Sequence, residues 1–133
     1  MKKLILFSIL PLFLFLNSCS EDCDCTDPAD EEIFGLWERT VTDDEDQTFD
    51  VMILFEQNGD FSFLLAENAE GHNNSYAEFE IDQTQITITN DSDCGSDGIY
   101  SYDLSDDELI LTAGSDECSQ RKVMIEAEWE RVE

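Results

Sequence analysis

Read only for apolar and polar positions, the chain falls into three stretches. An unbroken apolar run fills residues 4–16, a polar and acidic stretch follows to residue 32, and from Ile33 onward the dominant period is two. Successive side chains of a strand point to opposite sides, so period two marks strands with one buried and one wet face. Phe49, Val51, Ile53 and Phe55 share one parity; Ala77, Phe79 and Ile81 alternate with Glu78, Glu80 and Asp82; Val123, Ile125, Ala127 and Trp129 alternate with Lys122, Glu126, Glu128 and Glu130. Strands are therefore expected over 33–42, 48–56, 60–66, 75–82, 85–90, 98–104, 108–113 and 121–132.

The connections sort themselves by length. Asn58-Gly59 is the strongest short hairpin signal a sequence offers, and the turns near Gln83 and at Ser105-Asp106-Asp107 are equally tight. Segments 43–47, 67–74, 91–97 and 114–120 are longer, and long and short alternate along the chain. In an up-and-down meander every long loop then falls at one end and every short one at the other. The expected fold is all-β, a small eight-stranded antiparallel up-and-down barrel over residues 33–133. Cys94 and Cys118 share its loop-rich end, and the start of the first strand meets the finish of the last at the other, bringing Trp37 near Arg131.

Ahead of the barrel, Lys2 and Lys3 precede the apolar run, and Asn17 and Ser18 follow it, the three-part layout of a secretory signal over residues 1–18. A run of about thirteen residues interrupted by Pro11 is shorter than a spanning helix needs. Leu16-Asn17-Ser18-Cys19 resembles the lipobox of bacterial lipoproteins, which implies cleavage before Cys19, lipid on that cysteine, and a membrane partner reached through acyl chains. Ser20-Glu21-Asp22 resembles the acidic export tag of surface lipoproteins of the Bacteroidetes type, which implies an outer-membrane protein displayed at the cell surface. Residues 19–32, rich in Asp, Glu, Thr and Pro, read as a flexible acidic tether.

Charge narrows the partners. Removing residues 1–18 takes away two lysines and no carboxylate, leaving Arg39, Arg121, Lys122 and Arg131 against 33 acidic residues. Such a field repels nucleic acid and anionic head groups and favours a soluble, monomeric body. Export into an oxidising compartment suits disulfides. Cys94 and Cys118 lie within the domain, and closing the loop between them would stabilise it by roughly 3 kcal/mol. Cys23 and Cys25 could close a local bridge, link to a second chain or hold a soft metal.

Gly35-x-Trp37 on the first strand, about eight antiparallel strands, and Arg131 on the last resemble the lipocalin and lipocalin-like (calycin) proteins. Phe55-x-x-Asn-Gly-Asp-Phe61, Gly98-x-Tyr100-x-Tyr102 and Asp116-x-Cys118-x-x-Arg121 are similar to exported lipocalin-like domains of Bacteroidetes lipoproteins. The resemblance implies an arginine packed over the tryptophan at the barrel base and a cavity for a small apolar or amphipathic ligand at the loop-rich end. The chain is shorter than full-length lipocalins and shows no flanking helix pattern, and a barrel this small can also be filled by its own side chains. Phe61, Phe63, Tyr76, Phe79, Tyr100 and Tyr102 are the candidate ligand-lining residues, or else plain core.

Catalytic chemistry finds no foothold. His72 is the only histidine and stands in a polar Gly-His-Asn-Asn loop with no nucleophile paired to it by any motif. No enzyme activity, cofactor or catalytic residue is expected. The alternative to ligand binding is an interaction module offering acidic loops to a basic protein or to calcium. Its residues are Asp43, Asp44, Glu45 and Asp46, then Glu67 and Glu70, then Asp91, Asp93 and Asp97, then Asp116 and Glu117. Asp93-x-Gly95-x-Asp97-Gly98 is faintly similar to a calcium loop, but Leu104 stands where the closing glutamate would be, so no metal ligands are assigned.

Overall fold

Each period-two segment contains a strand, the last only in its second half, and the strands pair strictly in sequence order. A computed structural model describes residues 32–42, 46–65 and 73–133. The signal segment, Cys19, Cys23, Cys25 and His72 lie outside the described residues. The strands are β1 (Gly35–Thr42), β2 (Thr48–Phe55), β3 (Asp60–Leu65), β4 (Ser75–Ile81), β5 (Gln85–Thr89), β6 (Gly98–Leu104), β7 (Glu108–Asp116) and β8 (Ala127–Arg131), with helix α1 (Ser119–Ile125) before the last. Neighbours pair antiparallel all the way round, and β1 closes on β8, giving an eight-stranded up-and-down barrel.

The tight turns are built from their own side chains. Gly59 takes φ +90, a conformation natural to glycine, and the Asn58 Oδ1 accepts the Asp60 N–H. At the next turn on that end, Asp82 Oδ1 accepts the N–H groups of Thr84 and Gln85. Inward-facing residues fill the barrel near this base: Trp37, Ile53, Phe55, Ile86, Leu109 and Trp129 are all buried. Phe55 sets the packing there, with ring centroids 5.1 Å from Phe61 and 4.9 Å from Phe79.

One expected element is overturned. Residues 121–132 were expected as a single strand, but Ser119–Ile125 is helical and only Ala127–Arg131 is strand. The alternation of Val123 and Ile125 is misleading: in the helix Arg121 and Ile125, four apart, share the buried face, while Val123 is 74% exposed. Gln120, Arg121, Lys122 and Met124 are good helix formers, and tertiary contacts rather than length sustain so short a helix.

The helix shortens the seam. β8 starts only at Ala127, so β1 pairs with it at two positions, Trp37↔Arg131 and Glu38↔Glu130. Towards the loop-rich end, β1 continues without a partner on that side, and α1 occupies the place a longer β8 would have taken. β7 runs three residues past its expected end, helped by a bulge opposite Ile99/Tyr100, and this carries Asp116 beside Gly98.

Candidate functional site

Arg131 caps the base. Its Cζ lies 4.1 Å from the centroid of the Trp37 ring, and its guanidinium donates to the carbonyls of Asp106 (2.9 Å), Phe34 (3.3 Å) and Glu32. Trp37 is fully buried and its Nε1 donates to the Ile33 carbonyl at 2.9 Å. Gly35 next to this cap has φ +127, a backbone conformation that favours glycine, while a Cβ there would meet the Arg131 Nη1 only at an ordinary contact distance of 3.5 Å.

The opposite end is fastened by a second arginine and a disulfide. Cys94 and Cys118 are bonded, their Cα atoms 5.8 Å apart, tying the β5–β6 loop to the start of α1. Beside them the Arg121 guanidinium holds Asp116 through two bonds of 2.8 Å, the Ser96 carbonyl at 2.8 Å and Asp91 at 3.3 Å. The Tyr100 hydroxyl donates to the same Asp116 carboxylate. Burial and the Asp116 charge both raise the Tyr100 pKa, while the Asp116 hydrogen bond raises that of Arg121 despite burial. For Asp116 burial works upward, but the bonds from Arg121, Tyr100 and the Cys118 N–H outweigh it and hold the carboxyl below its ordinary value.

This network changes the expected acidic rim. Asp91 and Asp116 are turned inward, with side chains 6% and 0% exposed, and are used by Arg121 rather than offered to solvent. Asp43, Asp44, Glu45, Glu67 and Glu70 lie outside the described residues. Among the described residues no three carboxylate, cysteine or histidine side chains converge on a point where one metal ion could sit.

Between the filled base and the fastened loops lies a cavity of about 940 Å³. Its walls are the mouth-end, inward-facing residues Val41, Phe49, Val51, Phe63 and Leu65, roofed on one side by Val123 and Met124 of α1. Arg39 enters it from β1, and Asn73, Asn74, Ser92, Asp93, Ser119 and Gln120 supply polar atoms at the rim. A smaller void of about 50 Å³ lies behind it, bordered by Phe61, Phe63, Met124 and Ile125.

The candidate lining residues divide by their height along the barrel. Phe63 lines both spaces, Phe61 only the smaller one, and Tyr76 borders the large cavity from the rim at 59% exposure, because its parity is that of the outward Glu78. Phe79, Tyr100 and Tyr102 do not line either space. Phe79 packs against Phe55 and Phe34 near the base, the Tyr100 hydroxyl is engaged by Asp116, and the Tyr102 hydroxyl donates to the Asp82 carbonyl at the tight-turn end.

Arg39 was not singled out from the sequence, although a signal for it exists. Trp37-Glu38-Arg39 recurs as Trp129-Glu130-Arg131, and antiparallel pairing sets each tryptophan opposite the other copy's arginine. Arg39 accordingly lies over the Trp129 ring, its Cζ 4.9 Å from the centroid. Its Nη2 donates to the carbonyls of Met124 (2.8 Å) and Val123 (3.4 Å) at the last turn of α1, where backbone acceptors lack helical partners. Its Nε is buried with no acceptor, and desolvation lowers its pKa, though an arginine remains charged at neutral pH.

Comparison with protein-family models, with curated proteins and with solved structures gives no match.

Proposed function

We propose that this chain is a lipid-anchored cell-envelope lipoprotein whose lipocalin-like barrel binds a small apolar or amphipathic molecule. The observation that carries the reading is the cavity of about 940 Å³ with its wall of Val41, Phe49, Val51, Phe63, Leu65 and Met124. A volume near the upper end of ordinary ligand sites, with an apolar wall on the strands and a polar rim of about equal share, suits an amphipathic ligand. The base of the same barrel is filled, so the ligand enters by the loop-rich end and stops above Trp129 and Phe63. The lipocalin-like resemblance of Gly35-x-Trp37 and Arg131 supports the same reading, as does the stacking of those two side chains.

The N-terminal sequence supplies the address. Lipid on Cys19 would tether the barrel to the outer membrane through the acidic segment, with Ser20-Glu21-Asp22 directing it to the cell surface. Among the described residues no helix is long and apolar enough to cross a membrane.

Native mass spectrometry of the protein extracted from its own envelope tests the binding role. The expected result is a co-purifying small molecule that is released on unfolding and excluded by Val51→Trp, which would fill the cavity. An empty protein that also fails to take up any fluorescent apolar probe would overturn it. Metabolic labelling with an alkyne fatty acid, lost in Cys19→Ser, tests the anchor separately.

A further inference from the structure

β8 is shorter than both of its neighbours. On one flank its register with β1 runs Trp37↔Arg131, Glu38↔Glu130 and stops. The Val132 N–H donates to the Leu36 carbonyl at 3.0 Å, which sets the phase of that ladder, so Thr40 is the next β1 residue whose backbone N–H and C=O face β8, opposite Glu128. Those two residues instead border a gap of about 330 Å³ on the outer side of the seam. On the other flank the register with β7 stops at Leu111↔Ala127, although β7 continues to Asp116. There the Arg131 N–H bonds the Asp107 carbonyl, so Ala113 turns its N–H toward the position a longer β8 would take. A side chain, the Glu126 carboxylate, accepts that N–H at 3.3 Å in place of a strand carbonyl.

The residues able to fill both ladders are those now wound into the end of α1. Val123 and Ile125 are β-branched and keep the parity of Ala127 and Trp129. Ile125 is buried in the helix, but Val123 is exposed there and would face the barrel interior in a strand. The helix has seven residues and no side-chain bond at its N-cap, so it depends on tertiary ties. Two of these, the Cys94–Cys118 bond and the grip of Arg121 on Asp116, act on its first turn. Only Arg39, through the carbonyls of Val123 and Met124, holds the last turn. Four extended residues above Ala127 rise about 13 Å, level with the end of β7 at Asp116, so Arg121 can keep its partner while the last turn converts.

We infer that residues 123–126 are a convertible end of β8: wound as helix they roof the cavity, and added to β8 as strand they complete the seam and uncover the mouth. The new pairs are Thr40↔Glu128 and Thr42↔Glu126 with β1, and Thr112↔Glu126 and Ala113↔Ile125 with β7. Met124 and Val123 border the cavity in the helical form, so a molecule bound beneath them favours that form. The role as an entrance gate rests on the binding role proposed above, whereas the conversion itself does not.

Nuclear magnetic resonance on the purified full chain tests the conversion. Met124→Thr favours the strand, and Val123→Lys favours the helix because its charge would otherwise point into the barrel. In Met124→Thr the expected result is an Hα–Hα contact between Thr112 and Glu126, which form a close non-hydrogen-bonded pair only in the strand, with amide exchange at Thr40 slowed tenfold or more. In the unaltered protein relaxation dispersion should detect exchange at Thr40 and Ile125, suppressed in Val123→Lys. A last turn in Met124→Thr that stays helical, or unravels without the Thr112 contact, overturns the conversion. Should Met124→Thr not fold, absence of exchange at both sites in the unaltered protein overturns it instead. Stopped-flow entry of pyrene-labelled decanol tests the gate and should be at least threefold slower in Val123→Lys than in the unaltered protein. Equal entry rates overturn the gate alone, and failure of the probe to bind either protein removes the binding role while the resonance result still decides the conversion.

Discussion

Arg39 rests on the indole of Trp129 as Arg131 rests on that of Trp37, and each pair joins β1 to β8 in the reverse sense of the other. The ladder across this seam is short, with register partners at Trp37↔Arg131 and Glu38↔Glu130 and the Val132 N–H donating to the Leu36 carbonyl at 3.0 Å, so the stacked side chains contribute to closure there. A desolvated cation over an indole contributes about 1–2 kcal/mol. The double-mutant cycle of Trp37→Leu and Arg131→Met, followed by urea unfolding, should show a coupling of that size. Additive effects would mean that the stack contributes nothing beyond the burial of each partner.

Gly98 has no positive φ, yet no larger residue fits. A Cβ there would stand 2.6 Å from Asp116 Oδ2 and 2.8 Å from Arg121 Nη2, and both are locked in the same network rather than free to swing away. Gly98→Ala should destabilise by about 1–3 kcal/mol. For a domain of about a hundred residues this is a fall of about 4–8 °C in Tm per kcal/mol. An unchanged Tm would show that the pair shifts freely.

Asp116 gives the fold an acid limb. Its folded pKa lies below the ordinary value of 3.8, so as acid is added the unfolded chain takes up the proton first. The stabilisation is complete above that ordinary value and is lost as pH falls through the folded one. Asp116→Ala, which strands the buried Arg121, should cost about 3–5 kcal/mol at neutral pH. The stability difference between the two proteins should narrow as pH drops below about 4, in urea titrations from pH 7 to pH 2. A constant difference across that range would contradict the assignment.

The Cys94–Cys118 bridge closes a loop spanning a sequence separation of 24. Cys94→Ser with Cys118→Ser should lower stability by roughly 3 kcal/mol. The same loss should follow reduction of the unaltered protein and be absent when the double variant is reduced, a comparison that calorimetry makes directly.

Much of the barrel is legible from the sequence because its cause is local. Alternation sets the faces of Thr48–Phe55, Ser75–Ile81 and Gln85–Thr89, while Asn58-Gly59 and Asp82 fix the turns between them. The helix at Ser119–Ile125 is hidden because Arg121, Val123 and Ile125 keep the parity of the strand that follows. What decides for a helix is non-local: Arg121 must reach Asp116, Asp91 and Ser96 at once. The cavity is hidden for a similar reason, since Phe63 and Phe79 are alike in sequence and differ only in their height along the barrel. Arg39 reads as one more solvent charge until the second Trp-Glu-Arg is laid antiparallel against the first.

That twin tripeptide works as a two-toothed clasp between segments at opposite ends of the domain. Sliding β8 by one residue against β1 would uncouple both teeth together and turn Trp129 out to water, so closure has a single energetically acceptable alignment. The ring cannot shut slightly ajar.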